Sequence, residues 1–295
     1  MAFTNAKWTM ALAAVGFSIS APATVARADE PASGDMSNTQ HSTPRAIDRS
    51  WLYLDDARVA DPGAVIGMTS VAYTSVGTNP DPTSAPYRAF AANTAQPGAL
   101  AALGAEVGVL SRVSLEGLGQ MQLGGEGPGV NPGALAGARF QLSPPSWHNV
   151  HLAASAGYLR ETWTTSPHAV ATAAGGADGA WASFAASLDV DRLRLGLTTL
   201  GEHVFAPGRD GVDLMVQAGI SYRVANGFRA GVEWVGQDLE ETFADRAEGG
   251  ARHFVGPTAA LQLLQERLTI VAGPSVGLSN GSPSILGRLA AAYGF

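Results

Sequence analysis

The 295-residue chain has no cysteine. That excludes disulfides, thiolate metal sites and a cysteine nucleophile, together with the lipid-attachment cysteine of a bacterial lipoprotein. Charge is scarce too: 15% of the residues are Asp, Glu, Lys or Arg, against about 25% in ordinary soluble domains. Lys7 is the single lysine, so every later basic group is arginine or histidine. A net charge of −7 leaves no basic face for a nucleic acid. Long apolar runs are missing: no segment after the N-terminus reaches the ~18 uncharged apolar residues expected of a spanning helix. Mean hydropathy is +0.08. What is abundant is small, with 36 glycines. Low charge, high glycine and middling hydropathy fit strands that are apolar on one face only.

The first residues read as an export address. Lys7 gives a weakly positive start, and Trp8 to Ile19 is apolar apart from Thr9 and Ser18. Ala26 and Ala28 then place small residues at the two positions read at cleavage, expected after Ala28. About a dozen apolar residues fall short of the roughly 20 that cross a bilayer. Residues 1–28 are therefore expected to be a signal peptide. Residues 29–63, rich in Pro, Ser, Asp and Thr, form a periplasmic lead-in, partly disordered. Its apolar patch, Trp51-Leu52-Tyr53-Leu54, is expected to dock at the domain that follows or to cap it.

From about Val65, apolar and polar residues alternate with period two, the pattern of a strand with one apolar face. Twelve such segments follow: 65–75, 99–110, 113–123, 134–143, 150–161, 180–190, 193–205, 212–224, 228–238, 253–264, 268–278 and 284–295. Their connections alternate. Ser111-Arg112, Pro144 to Asn149, Asp191-Arg192, Ala225 to Gly227 and Gln265 to Arg267 are short. Between them fall the mostly longer 76–98, 124–133, 162–179, 206–211, 239–252 and 279–283. Short turns on one side, longer loops on the other and an even strand count are the pattern of a transmembrane barrel with both termini in the periplasm.

The two faces sort cleanly. In 212–224, Val212, Leu214, Val216, Ala218, Ile220 and Tyr222 oppose Asp213, Met215, Gln217, Gly219, Ser221 and Arg223. In 228–238, Phe228, Ala230, Val232 and Trp234 oppose Arg229, Glu233 and Gln237. A slip of one residue would exchange the faces. A soluble sandwich alternates as well. A polar face made mostly of Gly, Ala, Ser, Thr and Gln, and aromatics at strand ends, favour lipid outside. Tyr222, Phe228, Tyr293 and Phe295 fall by the short turns, and Tyr73, Tyr158, Phe205 and Trp234 by the long loops.

The chain ends Leu289-Ala290-Ala291-Ala292-Tyr293-Gly294-Phe295, with Leu289, Ala291, Tyr293 and Phe295 on one face. This ending resembles the C-terminal insertion signal of Gram-negative outer-membrane β-barrel proteins, which is read by the outer-membrane assembly machinery. The resemblance implies export, assembly in the outer membrane, and contact with its lipid and lipopolysaccharide. Strand spacing and Glu106-Val107-Gly108-Val109-Leu110-Ser111-Arg112 are also similar to outer-membrane barrels of phenol meta-cleavage pathways, a likeness of architecture that names no substrate.

The fold expected is all-β: an antiparallel up-and-down transmembrane β-barrel of about twelve strands over residues 64–295, with ten or fourteen as alternatives. Its interior should hold Glu106, Glu116, Arg139, Asp189, Arg194, Glu202, Asp213, Arg223, Arg229, Glu233 and Arg288. Mixed charge in a narrow lumen reads either as ion pairs that stiffen the wall or as a polar constriction for a small solute. Val255-Gly256-Pro257-Thr258 and Ala272-Gly273-Pro274-Ser275 echo one another on neighbouring strands and read as a bend in the wall. The acidic stretch Asp238, Glu240, Glu241, Asp245 and Glu248 lacks Ca²⁺-loop spacing and reads as a solvated loop. Ser279-Asn280-Gly281 lacks the histidine of the outer-membrane phospholipase motif and reads as a hairpin turn. No metal or cofactor is implied. The function expected is a passive channel or transporter for a small solute. A closed structural or surface-binding barrel, an outer-membrane hydrolase and a soluble sandwich are the alternatives.

Overall fold

Period-two alternation becomes twelve strands: β1 (Val65–Thr74), β2 (Gly98–Leu110), β3 (Val113–Leu123), β4 (Gly133–Gln141), β5 (Val150–Trp163), β6 (Gly175–Val190), β7 (Leu193–Val204), β8 (Asp213–Ala225), β9 (Phe228–Gln237), β10 (Arg252–Leu263), β11 (Leu268–Gly277) and β12 (Ile285–Gly294). The computed structural model describes residues 57–75, 98–123, 133–144, 146–163, 175–205, 212–237, 239, 251–279, 282 and 284–295. The expected cleavage site, the Trp51–Leu54 patch and the acidic residues between 238 and 248 lie outside the described residues.

Each strand pairs antiparallel with its neighbours in sequence, and β1 pairs with β12 from Ile66↔Gly294 to Thr74↔Leu286. The sheet is therefore a closed barrel of twelve strands. Closure leaves no edge, so each ladder finds a partner where a bilayer offers no water. Expected and observed strands differ by a residue or two at their ends, except in β6. Its first stretch, Gly-Gly-Ala-Asp-Gly, has the composition of a loop, yet it pairs with Leu159–Trp163. The length of β5 imposes the extended conformation there, overriding local preference.

Side chains alternate across the wall as the pleat requires. Val71, Leu103, Leu115, Ile220, Val232 and Leu289 stand exposed on the outside. Ser70, Ser114, Gln120, Ser155, Thr198, Gln217 and Ser221 are buried inside. Tyr73, Tyr158, Phe205, Tyr222 and Phe295 are exposed at the two rims. Trp234 stacks on His253, and Tyr293 meets Phe295 edge-on.

The tight turns gather at one end. Asp191 (φ 52) and Gly227 (φ 74) take left-handed conformations there. Register shifts between Gly108 and Leu110 and between Arg223 and Ala225 lie at the same end. Arg112 ties two turns together, donating to the carbonyls of Gln141 (3.1 Å), Leu142 (2.7 Å) and Ser143 (3.2 Å).

The residues before β1 enter this end of the barrel. Ala57, Val59 and Ala60 are buried. Ala60 and Ala64 pack against the inward-facing Ile66 and Ala292. The Ala60 N–H donates to Glu106 Oε1 at 3.1 Å, the Gly63 N–H to the Gly108 carbonyl at 2.9 Å, and the Gly108 N–H to the Ala64 carbonyl at 2.9 Å. A Cβ on Gly108 would lie 2.0 Å from the Asp61 carbonyl oxygen, so only glycine allows the approach.

Candidate functional site: the barrel interior

The inner wall is built in tiers, since successive inward residues on one strand step along the barrel axis. β7 shows the order. From the short-turn end it presents Arg194, Thr198, Leu200, Glu202 and Val204, all buried. Its neighbours repeat the scheme, so side chains of one character meet around the ring.

The tier nearest the short turns is charged. Asp189 lies directly opposite Arg194 and receives both Nε (2.6 Å) and Nη2 (2.9 Å) of its guanidinium. This fork geometry is the strongest form of such a contact. His151 Nε2 stands 3.8 Å from Oδ2, the oxygen that accepts from Nη2, and Arg58, from the docked N-terminal segment, acts electrostatically on the same aspartate. On the β2–β4 side, Glu106 and Glu116 face each other across the ladder. Ser114 Oγ donates to Glu106 at 2.7 Å, and Arg139 Nη2 donates to Glu116 Oε2 at 3.1 Å. The ion pair is almost wholly enclosed, with side-chain exposures of 1% and 5%. Two facing carboxylates repel in a low-dielectric interior; the arginine, the serine and the Ala60 N–H offset that repulsion.

The middle tier is apolar. Leu135, Leu159, Trp181, Leu200, Met215, Val235, Phe254 and Leu286 point inward and belong to one packed cluster of buried side chains. Polar residues return toward the long-loop end. Glu202 faces Asp213 and Gln237 faces Arg252, all four buried.

Of the eleven charges expected inside, Glu106, Glu116, Arg139, Arg194, Glu202, Asp213, Arg229 and Glu233 are buried on the inner face. Asp189 and Arg288 are partly covered there. Arg223 differs. It has the inward parity, but the bulge beside it puts it at the rim, exposed. Arg229 is its direct cross-strand neighbour, and a like charge opposite favours an outward position. The apolar tier is what reading by face missed. Tyr158, Arg160 and Asp178 form a further polar contact on the outer wall at the long-loop rim: Tyr158 Oη donates to Asp178, and Arg160 Nη1 lies 2.5 Å from it. Leu289, Ala291, Tyr293 and Phe295 share the outer face of the last strand, with Phe295 half exposed. Ser279 and Ser282 both bond the main chain of His253, not its ring.

No family model matches the chain, and no curated protein matches it. Solved structures do. The COG4313 outer membrane channel from Pseudomonas putida F1 superposes with a TM-score of 0.53 at 11% identity, over 81% of this chain and 98% of that one. A KdgM porin in complex with disordered oligogalacturonate gives 0.47 at 9% identity, over 79% and 99%. The translocator domain of the autotransporter NalP from Neisseria meningitidis gives 0.42 at 14%, over 78% and 87%. The fold is that of an outer-membrane barrel. At these identities the likeness is one of fold. In this barrel the chemistry therefore rests on its own tiers: ion pairs at the short-turn end, a greasy girdle above them, and an acidic pair beyond.

Proposed function

We propose that the chain is a passive channel for a small solute in the outer membrane of a Gram-negative bacterium. It would be exported by the signal ending at Ala26 and Ala28 and inserted by the strand carrying Leu289, Ala291, Tyr293 and Phe295. The observation that carries this reading is the inner wall. A girdle of Leu, Met, Trp and Phe lies between two charged tiers. A solute with an apolar body and a polar end meets a matching surface at each level. An apolar constriction dewets, so ions pass only while the girdle is open. Lipopolysaccharide and the assembly machinery would be its partners, through the apolar wall and the last strand.

A second reading, a closed structural barrel, draws on the same packed girdle. Planar-bilayer recording decides between them. The wild-type channel should show small, infrequent openings, and Trp181→Ala with Phe254→Ala should raise conductance several-fold. If both proteins stay silent although folded by heat-shifted migration on gels, the closed scaffold holds and the channel fails.

A further inference from the structure

Two glutamines on the inner wall are short of partners. Gln237, on β9, is fully buried, and neither its Oε1 nor its Nε2 has a hydrogen bond. Among the described residues it is the only side chain with both a buried donor and a buried acceptor left over. Gln217, on β8, is buried as well, and its Nε2 reaches the sulfur of Met215 at 3.4 Å, a weak acceptor. A buried carboxamide without partners has given up its bonds to water and gained none in return.

The two amides belong together. Gln217 lies directly opposite Val235. Gln237 is therefore its diagonal neighbour on the same inner face, a relation that spans roughly 7–8 Å in a sheet. The register runs one bond further, from the Leu239 N–H to the Leu214 carbonyl at 3.0 Å, and so sets Met215 opposite Gln237. Met215 thus stands beside both amides. Methionine is unbranched and turns about three bonds, which makes it the member of the girdle most easily moved. Val235 and Phe254, paired across the next strand boundary, bound the place on its apolar side.

The charges nearby have their own work. Arg252 faces Gln237, and Glu202 faces Asp213; Arg252, Glu202 and Asp213 are each engaged already. An ionic head would meet both signs at once, each with its own partner. A carboxamide edge presents one donor and one acceptor side by side. Its complement is another such edge, without charge.

We propose that Gln237 and Gln217 form a binding site for an uncharged carboxamide carried on an apolar body, which takes the place of the Met215 side chain. The site rests on the channel reading and names its substrate class. The ligand's C=O accepts from Gln237 Nε2 while its N–H donates to Gln237 Oε1, and its body lies against Val235 and Phe254. The room comes from a side chain that swings aside, so a packed girdle and a binding site are compatible. One step deeper, Gln217 Nε2 exchanges a thioether for a carbonyl oxygen. The diagonal pair offers two successive holds, leading from the long-loop end toward the middle of the barrel.

Benzamide is the probe, and N,N-dimethylbenzamide, which accepts but cannot donate, is its control. The folded protein is held in phospholipid nanodiscs with its glutamine side-chain nitrogens isotopically labelled, and the Gln237 signals are those lost in Gln237→Met. Benzamide should shift these signals. At least about tenfold more of the dimethyl compound should be needed for the same shift, since a site built to bond an N–H rejects the analogue without one. Gln217→Met should weaken benzamide binding several-fold while the Gln237 signals stay in place. Gln237→Met keeps the volume and removes both orphaned groups, so it should raise the urea midpoint of the barrel.

A lowered midpoint would show that the protein itself satisfies the amide, and the site falls. Gln237 signals that ignore benzamide, or answer both compounds alike, overturn it too and leave the amide to a structural water only. Planar-bilayer recording judges the channel separately. Selective binding at Gln237 in a barrel that never conducts ends the channel reading and keeps the site as a receptor. A conducting barrel whose Gln237 signals ignore benzamide ends the site and keeps the channel.

Discussion

Arg139→Met should destabilise the barrel more than Glu116→Gln, and the double replacement Glu116→Met with Arg139→Met should cost least. The magnitudes follow from the tier at the short-turn end. Arg139 and Glu116 meet at 3.1 Å with almost no solvent access. Two charges about 4 Å apart attract by about 4 kcal/mol at an effective dielectric constant near 20. Removing one partner of a buried pair costs about 3–5 kcal/mol, because the other charge loses its closest compensation. Glu106 then separates the two single variants. It lies opposite Glu116, so Glu116→Gln relieves a repulsion while it loses an attraction, which puts it near the lower end of that range, about 3 kcal/mol. Arg139→Met leaves two facing carboxylates and belongs at the upper end, about 5 kcal/mol. The double variant removes the pair together and should cost about 1–2 kcal/mol, since replacing buried ion pairs by apolar residues is often close to neutral. Urea unfolding in phospholipid vesicles, followed by tryptophan fluorescence, measures all three. The reasoning is refuted if Glu116→Gln is the worst of the three, or if the double variant is worse than either single one.

Glu106→Gln keeps shape but weakens the bond to the Ala60 N–H, so the segment before β1 should loosen; trypsin should cut after Arg58 at least fivefold faster in folded protein. Gly108→Val should have a larger effect on the same assay, because its side chain would collide with the Asp61 carbonyl; unchanged cleavage in both would mean that the segment is held elsewhere. Asp189→Asn breaks the fork with Arg194 and should lower stability by about 2 kcal/mol, read from the same urea titration. Phe295→Ser should cut the heat-shifted, folded fraction in isolated outer membranes several-fold while leaving refolding into detergent nearly unchanged; equal loss in both would make Phe295 a packing residue and not an address.

Strand positions could be read from the sequence because one face is apolar and the other polar wherever the two differ. Val232 against Glu233 and Leu195 against Arg194 leave no doubt about parity. The alternation of short and long connections added the even count. Legibility failed where both faces have the same character. Leu135 lies between Ala134 and Ala136, and Trp181 between Ala180 and Ala182, so parity carried no contrast and the apolar girdle stayed hidden among alanines. Size does not restore the contrast: Trp181 of β6 points inward, while Phe184, three residues on and also among small neighbours, is exposed outside. The glycine-rich start of β6 was lost because composition was weighed without the partner strand that overrides it. Docking of residues 57–64 draws on main-chain bonds to Gly108, the Glu106 carboxylate and small apolar contacts, which leave no periodic trace.

Ring closure has a consequence for how the chain comes to be folded. The Ile285 N–H donates to Ser75 Oγ, a residue 210 positions away in sequence, and the first and last strands zip along their length. Eleven strands cannot make a smaller version of this object. Until the final segment arrives, the sheet has two raw edges and no inside. The loop that must close spans nearly the whole domain, but its entropy grows only with the logarithm of its length, so the long wait sets a rate more than a stability. A chain cut short at its end would therefore be left unfinished, with edges that can pair with whatever strand comes next.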